Sequence, residues 1–213
     1  MDRRVLSIRE EELALELFDV GAIKFGKFRL KLHDKNPGAP LSPKYGNLRI
    51  LRSFPSIMSR TIRVMGDLRI RKNLDFEMVA DVPTAGTPFA AIFSDHFWIP
   101  MVSPRLDKKQ HGSGADIDGV FVVGARVLLI DDLITKAESK LDAIAVLERN
   151  GLVVRDVLVI LDREQGGREE LRRRGYNLHS IFRLSELLDF YLQGGKIDQQ
   201  KHDEVTEYLR ENK

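Results

Sequence analysis

Residues 127–140, VLLIDDLITKAESK, gather the groups in this sequence best suited to chemistry on a phosphorylated sugar. An apolar run delivers Asp131 and Asp132 at its carboxyl end, and hydroxyls follow at Thr135 and Ser139, where a helix should open. The unpaired amides of a helix N-terminus, joined by two hydroxyls, make a cradle for phosphate. The carboxylates suit ribose hydroxyls or a divalent cation. A second group, Arg105, Lys109 and His111, lies in the polar stretch 105–118, whose glycines at 112 and 114 would let it close over a bound anion. Taken singly, Lys24 and Arg163 read as ordinary surface cations.

The elements that must position these groups follow from periodicity. Leu13, Ala14, Leu17 and Phe18 recur at helical spacing behind an acidic first turn, which predicts a helix over 8–18. Residues 24–32 alternate Phe28, Leu30 and Leu32 with basic residues and predict a half-buried strand of a hairpin or small sheet. A loop at Asn36-Pro37-Gly38-Ala39-Pro40 precedes a helical pattern over 54–71. Strands are expected at 76–82, 98–102, 119–123, 126–130 and 157–161, with helices at 87–93, 139–149, 168–174, 185–191 and 198–211. Phe97 and Trp98 are expected in the core of a strand. Strands alternating with helices, the central ones apolar throughout, predict an α/β fold with a mostly parallel sheet covered on both faces. Ligands of such sheets bind at the carboxyl ends of the strands.

Composition narrows the function. The 213 residues carry 34 Lys and Arg against 32 Asp and Glu, a formal charge of +2, so no general electrostatic reason for nucleic-acid binding exists. Cysteine is absent, which removes thiol nucleophiles and cysteinyl metal sites and fits a reducing, cytoplasmic setting. No apolar run is long enough to span a membrane, and the N-terminus has no apolar signal region. His33, His96, His179 and His202 lack metal-ligand spacing, so no zinc site is expected.

The segment at 131–139 resembles the phosphoribosyl pyrophosphate (PRPP) motif of the type I phosphoribosyltransferases, and further stretches resemble orotate phosphoribosyltransferase in particular. These are FDVGAIKFGKFRLK (18–31), SPKYGNLR (42–49), DVPTAGTPFA (81–90), RLDKKQHG (105–112) and, most specific, LDREQGG (161–167). The resemblance runs in order along almost the whole chain. It implies a single type I phosphoribosyltransferase domain over 1–213, with a small N-terminal hood over about 1–50 and an α/β core over about 51–213. It also implies transfer of ribose 5-phosphate from PRPP to orotate, giving orotidine 5'-monophosphate and pyrophosphate in pyrimidine biosynthesis.

Carried over residue by residue, Lys109, Arg105, His111, Asp131 and Asp132 would form the catalytic set. Thr135, Lys136, Ala137, Glu138 and Ser139 would form the phosphate loop, and Lys24, Thr135 and Arg163 would face orotate. Magnesium is implied as cofactor, held mainly by PRPP rather than by firm protein ligands. A homodimer with shared sites, its mobile loop reaching the neighbouring subunit, is implied as well. Three positions depart from the family pattern. Ala137 stands in place of the usual glycine, Glu138 in place of a small residue, and Leu106 in place of lysine. At 137 the expectation is a phosphate loop kept at negative φ and therefore a looser grip, because a Cβ disfavours the left-handed region. For Glu138 three outcomes are open: pairing with the flanking Lys136 or Lys140, Lys136 reaching the phosphate itself, or a side chain aimed at solvent and screened there. These departures leave open a noncatalytic or altered-specificity homologue that binds a nucleotide or PRPP in a regulatory role.

Overall fold

A computed structural model describes residues 4–29, 38, 41–106 and 116–211. Helix α1 (Ile8–Asp19) leads into an antiparallel hairpin, β1 (Ile23–Phe28) with β2 (Ser42–Gly46), which forms a sheet of its own. Residues 48–53 form a 3-10 helix where the sequence suggested no regular element, and helix α2 (Pro55–Arg71) follows. The chain then alternates through β3 (Met78–Asp81), α3 (Thr87–Phe97), β4 (Met101–Pro104), β5 (Ile117–Asp118) and β6 (Arg126–Ile134). It ends with α4 (Glu138–Arg149), β7 (Val153–Asp162), α5 (Gly167–Arg173), β8 (Asn177–Arg183), α6 (Leu184–Gln193) and α7 (Gln199–Glu211).

The six strands order as β5-β4-β3-β6-β7-β8, parallel throughout except for β5, which runs antiparallel to β4. Alternation along β6 explains why its run reads as uniformly apolar. Leu128 and Ile130 enter one core with residues of α1, α2, α3, α6 and α7, while Val127 and Leu129 enter a second core with residues of α4 and α5. A strand buried on both faces needs apolar side chains at every position. Leu13, Ala14 and Leu17 of α1 are buried in the first core, so the N-terminal segment shares packing with the sheet.

Three expectations are corrected. Residues 119–123 form no strand, because Gly119 and Gly124 take φ of +114° and +89°, and Val120, Val122 and Val123 between them are exposed. Strand β6 runs four residues beyond the expected end at 130, through both aspartates. Trp98 is 94% exposed rather than in a strand core. The helical spacing of Phe89, Phe93 and Phe97 carries α3 onward to Phe97, and Trp98 ends the helix in the left-handed region. Phe97 packs against Phe93 at 4.7 Å between centroids and lies under the Arg69 guanidinium.

The first core is sealed at its edge by Glu10, whose buried carboxylate receives Arg4 and Arg71 and closes a capping box with Ser7. Burial alone would raise its pKa, but the Ser7 amide and the two guanidinium groups outweigh it and hold it below the usual value of 4.5. Glu10→Gln should cost about 1–3 kcal/mol at pH 7, since both arginines lose a buried partner but keep some solvent. A depressed carboxyl pKa contributes stability in full above 4.5 and loses it as pH falls through the folded value. Urea midpoints of both chains should therefore converge on acidification. A gap unchanged between neutral and strongly acidic pH would contradict this role.

Candidate functional site

The carboxyl ends of β3, β6 and β7 bring Asp81, Asp131, Asp132 and Asp162 to one edge of the sheet. Asp81 lies opposite Ile130, and Ile134 lies opposite Asp162. Asp131, 2% exposed, reaches Lys140 of α4 at 2.5 Å, and its other oxygen accepts the Asp132 N–H at 2.8 Å. Burial pushes the Asp131 carboxyl upward, Lys140 opposes this, and the neighbouring Asp132 adds to it. Asp132, 6% exposed, accepts the Leu133 amide at Oδ1, and its Oδ2 has no hydrogen-bond partner among the described residues. The two carboxylates are therefore unequal: Asp131 is committed to Lys140, and Asp132 is the one with an oxygen to offer a ligand.

Between β6 and α4 the chain makes a tight loop. Ala137 adopts φ of +72°, the left-handed conformation that a glycine would take, with its methyl buried in the second core. This corrects the expectation of negative φ, since the backbone keeps the turned form despite the Cβ. The amides of residues 140 and 141 both bond the Ala137 carbonyl, leaving those of residues 136–139 without backbone acceptors. That is the orphan set at a helix N-terminus where anions bind. Lys136, Glu138 and Ser139 are exposed and Thr135 is half-buried. Lys140 is buried against Asp131 and the Leu133 carbonyl (2.6 Å), which leaves the solvent-facing alternative for Glu138. Glu138 points to water, where its charge is screened.

Two glycines let neighbouring backbone close on this edge. A Cβ at Gly167 would lie 2.4 Å from the Thr135 carbonyl oxygen, and one at Gly86 would lie 2.6 Å from that of Ile130. The Arg163 amide bonds the Ile134 carbonyl at 3.1 Å and joins the LDREQGG segment to the start of the β6–α4 loop. Thus the sequence segments at 81–90, 131–139 and 161–167 meet in space.

Other expected site residues are distributed differently. Arg105 is exposed and pairs with Asp118 of β5, across the base of the 105–118 connection. It lines a cavity of about 560 Å³ with Asp81, Thr84, Thr87 and Leu106. In it Asp81 accepts the Thr87 hydroxyl at one oxygen, while its other oxygen is buried without a partner. Lys109 and His111 lie outside the described residues. Lys24 packs back over Gly21 and lines a cavity with Phe18, Phe28, Ile197 and Lys201, whereas Arg163 lines another one with Ile23, Tyr45 and Leu161. The lysine that shares the Arg163 cavity is Lys44, which sequence reasoning passed over within SPKYGNLR. Lys140 was likewise missed as the partner of Asp131. A lysine at the third position of an otherwise amphipathic helix gave no sign of its burial.

Among the described residues no cluster of three acidic or histidine side chains could hold a metal. Asp132 Oδ2 and the orphaned Asp81 oxygen are hard donors of the type magnesium takes alongside substrate oxygens and water. Among the described residues no helix is long and apolar enough to cross a membrane.

No family model matches the chain. A uridine 5'-monophosphate synthase of Bos taurus is 35% identical over 200 residues, covering 94% of this chain and 40% of that protein. An orotate phosphoribosyltransferase of Pyrobaculum aerophilum is 31% identical over 194 residues, covering 91% of this chain and 95% of that one. The solved structure of Leishmania donovani UMP synthase superposes with a TM-score of 0.80 at 31% identity over 95% of this chain and 42% of that chain. The chain thus spans about two fifths of the length of the UMP synthases it matches and nearly the whole of the shorter relative. With the ordered motifs meeting at one sheet edge, this similarity shows that the chain belongs to the orotate phosphoribosyltransferase family.

Proposed function

We propose that the chain transfers ribose 5-phosphate from PRPP to N1 of orotate, forming orotidine 5'-monophosphate and pyrophosphate. The observation that carries this reading is the β6–α4 connection, where a free carboxylate oxygen, two hydroxyls and unpaired amides converge. In this reading the 5-phosphate sits against the amides of residues 136–139 with Thr135 and Ser139. Asp132 accepts a ribose hydroxyl, and Asp131, pinned by Lys140, sets the backbone that aims it. The C1–O bond to pyrophosphate breaks with its electron pair going to the leaving oxygen, and N1 of orotate bonds to C1 and gives up its proton. Asp132 and Asp81 would offer oxygens to a magnesium ion carried mainly by PRPP, which would supply charge neutralisation on the pyrophosphate. Positive charge develops on the sugar and negative charge on the leaving group, so cations on the latter stabilise the transition state. Lys109, Arg105 and His111 are assigned that task.

The same reading makes the chain one domain acting as a cytoplasmic homodimer, with the 105–118 segment completing the neighbouring subunit's site and excluding water. Its support is the family membership and the polarity of that segment.

The purified chain should consume orotate only with PRPP and magnesium together. Lys109→Ala should lower kcat by about a hundredfold or more, as loss of an oriented transition-state group does, while leaving the melting temperature unchanged. Tight nucleotide binding without turnover would favour the regulatory homologue instead.

The loop at 137 gives a second expectation. Left-handed alanine costs roughly 1–2 kcal/mol relative to glycine, but glycine would lose a buried methyl worth about 0.8 kcal/mol and gain unfolded-state entropy. Since the backbone already holds the turned form, Ala137→Gly should leave PRPP affinity within about threefold, below 1 kcal/mol. Calorimetric titration at fixed salt measures it. Tenfold tighter binding would mean that the Cβ obstructs the phosphate after all.

A further inference from the structure

Lys44 occupies an unusual position for a lysine. It lies in the middle of β2, 3% exposed, with its Nζ buried and without a hydrogen-bond partner. Its neighbours across the small cavity are Ile23, Tyr45, Gly46, Leu161, Leu184 and the side chain of Arg163. The acids nearest to it are already engaged. Asp162 pairs with Arg168 at 2.9 Å and accepts the Glu164 amide, and Glu164 accepts the Ser185 amide at the start of α6. The Tyr45 and Tyr208 hydroxyls, from β2 and α7, complete the polar groups around Arg163. Two basic side chains thus face one cavity, and among the described residues no carboxylate forms an ion pair with either.

Burying an ammonium without a counter-charge is unfavourable, so such a group either sheds its proton or awaits an anion. From this geometry we propose that Lys44 is a specificity-determining residue that, with Arg163, selects a base bearing a carboxylate. The inference rests on the orotate reading above, because it names the anion that the pair is built to meet. The cavity itself, at about 10 Å³, admits no more than a water, so the base lies at its Arg163 side and Lys44 responds from behind. Burial and the Arg163 charge hold Lys44 down to about 7, with Glu164 and Asp162 opposing them. An arriving carboxylate reverses that balance, and Lys44 takes up a proton. The sign is fixed: uptake approaches one proton per ligand at pH 8, where free Lys44 is mostly neutral, and fades at pH 6, where it is already charged.

The test is calorimetry of the full chain with orotidine 5'-monophosphate at pH 8 and pH 6, in buffers of different ionisation enthalpy. Uridine 5'-monophosphate, which lacks the carboxylate, serves as the control ligand. Wild type should take up protons with the carboxylated nucleotide alone, more at pH 8. Lys44→Met and Lys44→Gln should abolish the uptake and weaken that nucleotide by roughly tenfold or more, about 1.4 kcal/mol, while binding uridine 5'-monophosphate as wild type does. Equal loss of both nucleotides would make Lys44 a structural support of the hairpin and overturn the inference. Unchanged uptake in the variants would overturn it too. In either case binding by wild type would leave the orotate reading standing. If wild type binds neither nucleotide, both fall together.

Discussion

The ion pair between Asp131 and Lys140 joins β6, three residues before its end, to the first turn of α4 and fixes the shape of everything between them. Two charges taken out of water are stable only when each finds further partners. Here Lys140 also donates to the Leu133 carbonyl, and Asp131 also accepts the Asp132 amide. The eight residues between the pair, 132–139, have little freedom left, and Ala137 is held in the left-handed region that an unconstrained alanine avoids. The unpaired amides and the free oxygen of Asp132 are consequences of that constraint.

The surrounding sheet supplies the rest of the geometry. Register places Ile134 beside Asp162, so the loop after β6 and the loop after β7 run side by side. Gly86 and Gly167 then permit backbone approaches that any side chain would block. The hairpin of β1 and β2 lies over the β7 end through contacts of Gly46 with Leu161, and it carries Lys44 to Arg163. In the proposed reading, positioning of the sugar phosphate would fall to β6 and α4, and recognition of the base to the hairpin and the segment after β7.

Much of this was legible in the sequence, for physical reasons. A strand covered on both faces must be apolar throughout, so β6 and β7 announced themselves, and the order of motifs predicted which strand ends would meet. The misread parts were those decided by tertiary contacts. Residues 119–123 have the composition of a strand, but flanking glycines at positive φ turn them out of the sheet. Trp98 looked like core, yet the helical phase of α3 ends one residue before it. Lys44 and Lys140 are charged residues in ordinary-looking segments, and only the fold shows that they are buried. Lys24 lay inside a matched motif, but the hairpin directs it to a different cavity from Arg163. Lys109 and His111 lie outside the described residues, and their roles rest on the family pattern.

The central claim is that the loop between β6 and α4 holds unpaired amides ready for a phosphate. Amide hydrogen exchange of residues 136–139, with and without PRPP and magnesium, tests it most directly. Without ligand these amides lack acceptors and should exchange quickly, and with ligand they should slow by roughly tenfold or more, while the amides of β6 stay protected in both states. Exchange at 136–139 that PRPP leaves unchanged under saturating conditions would contradict the account.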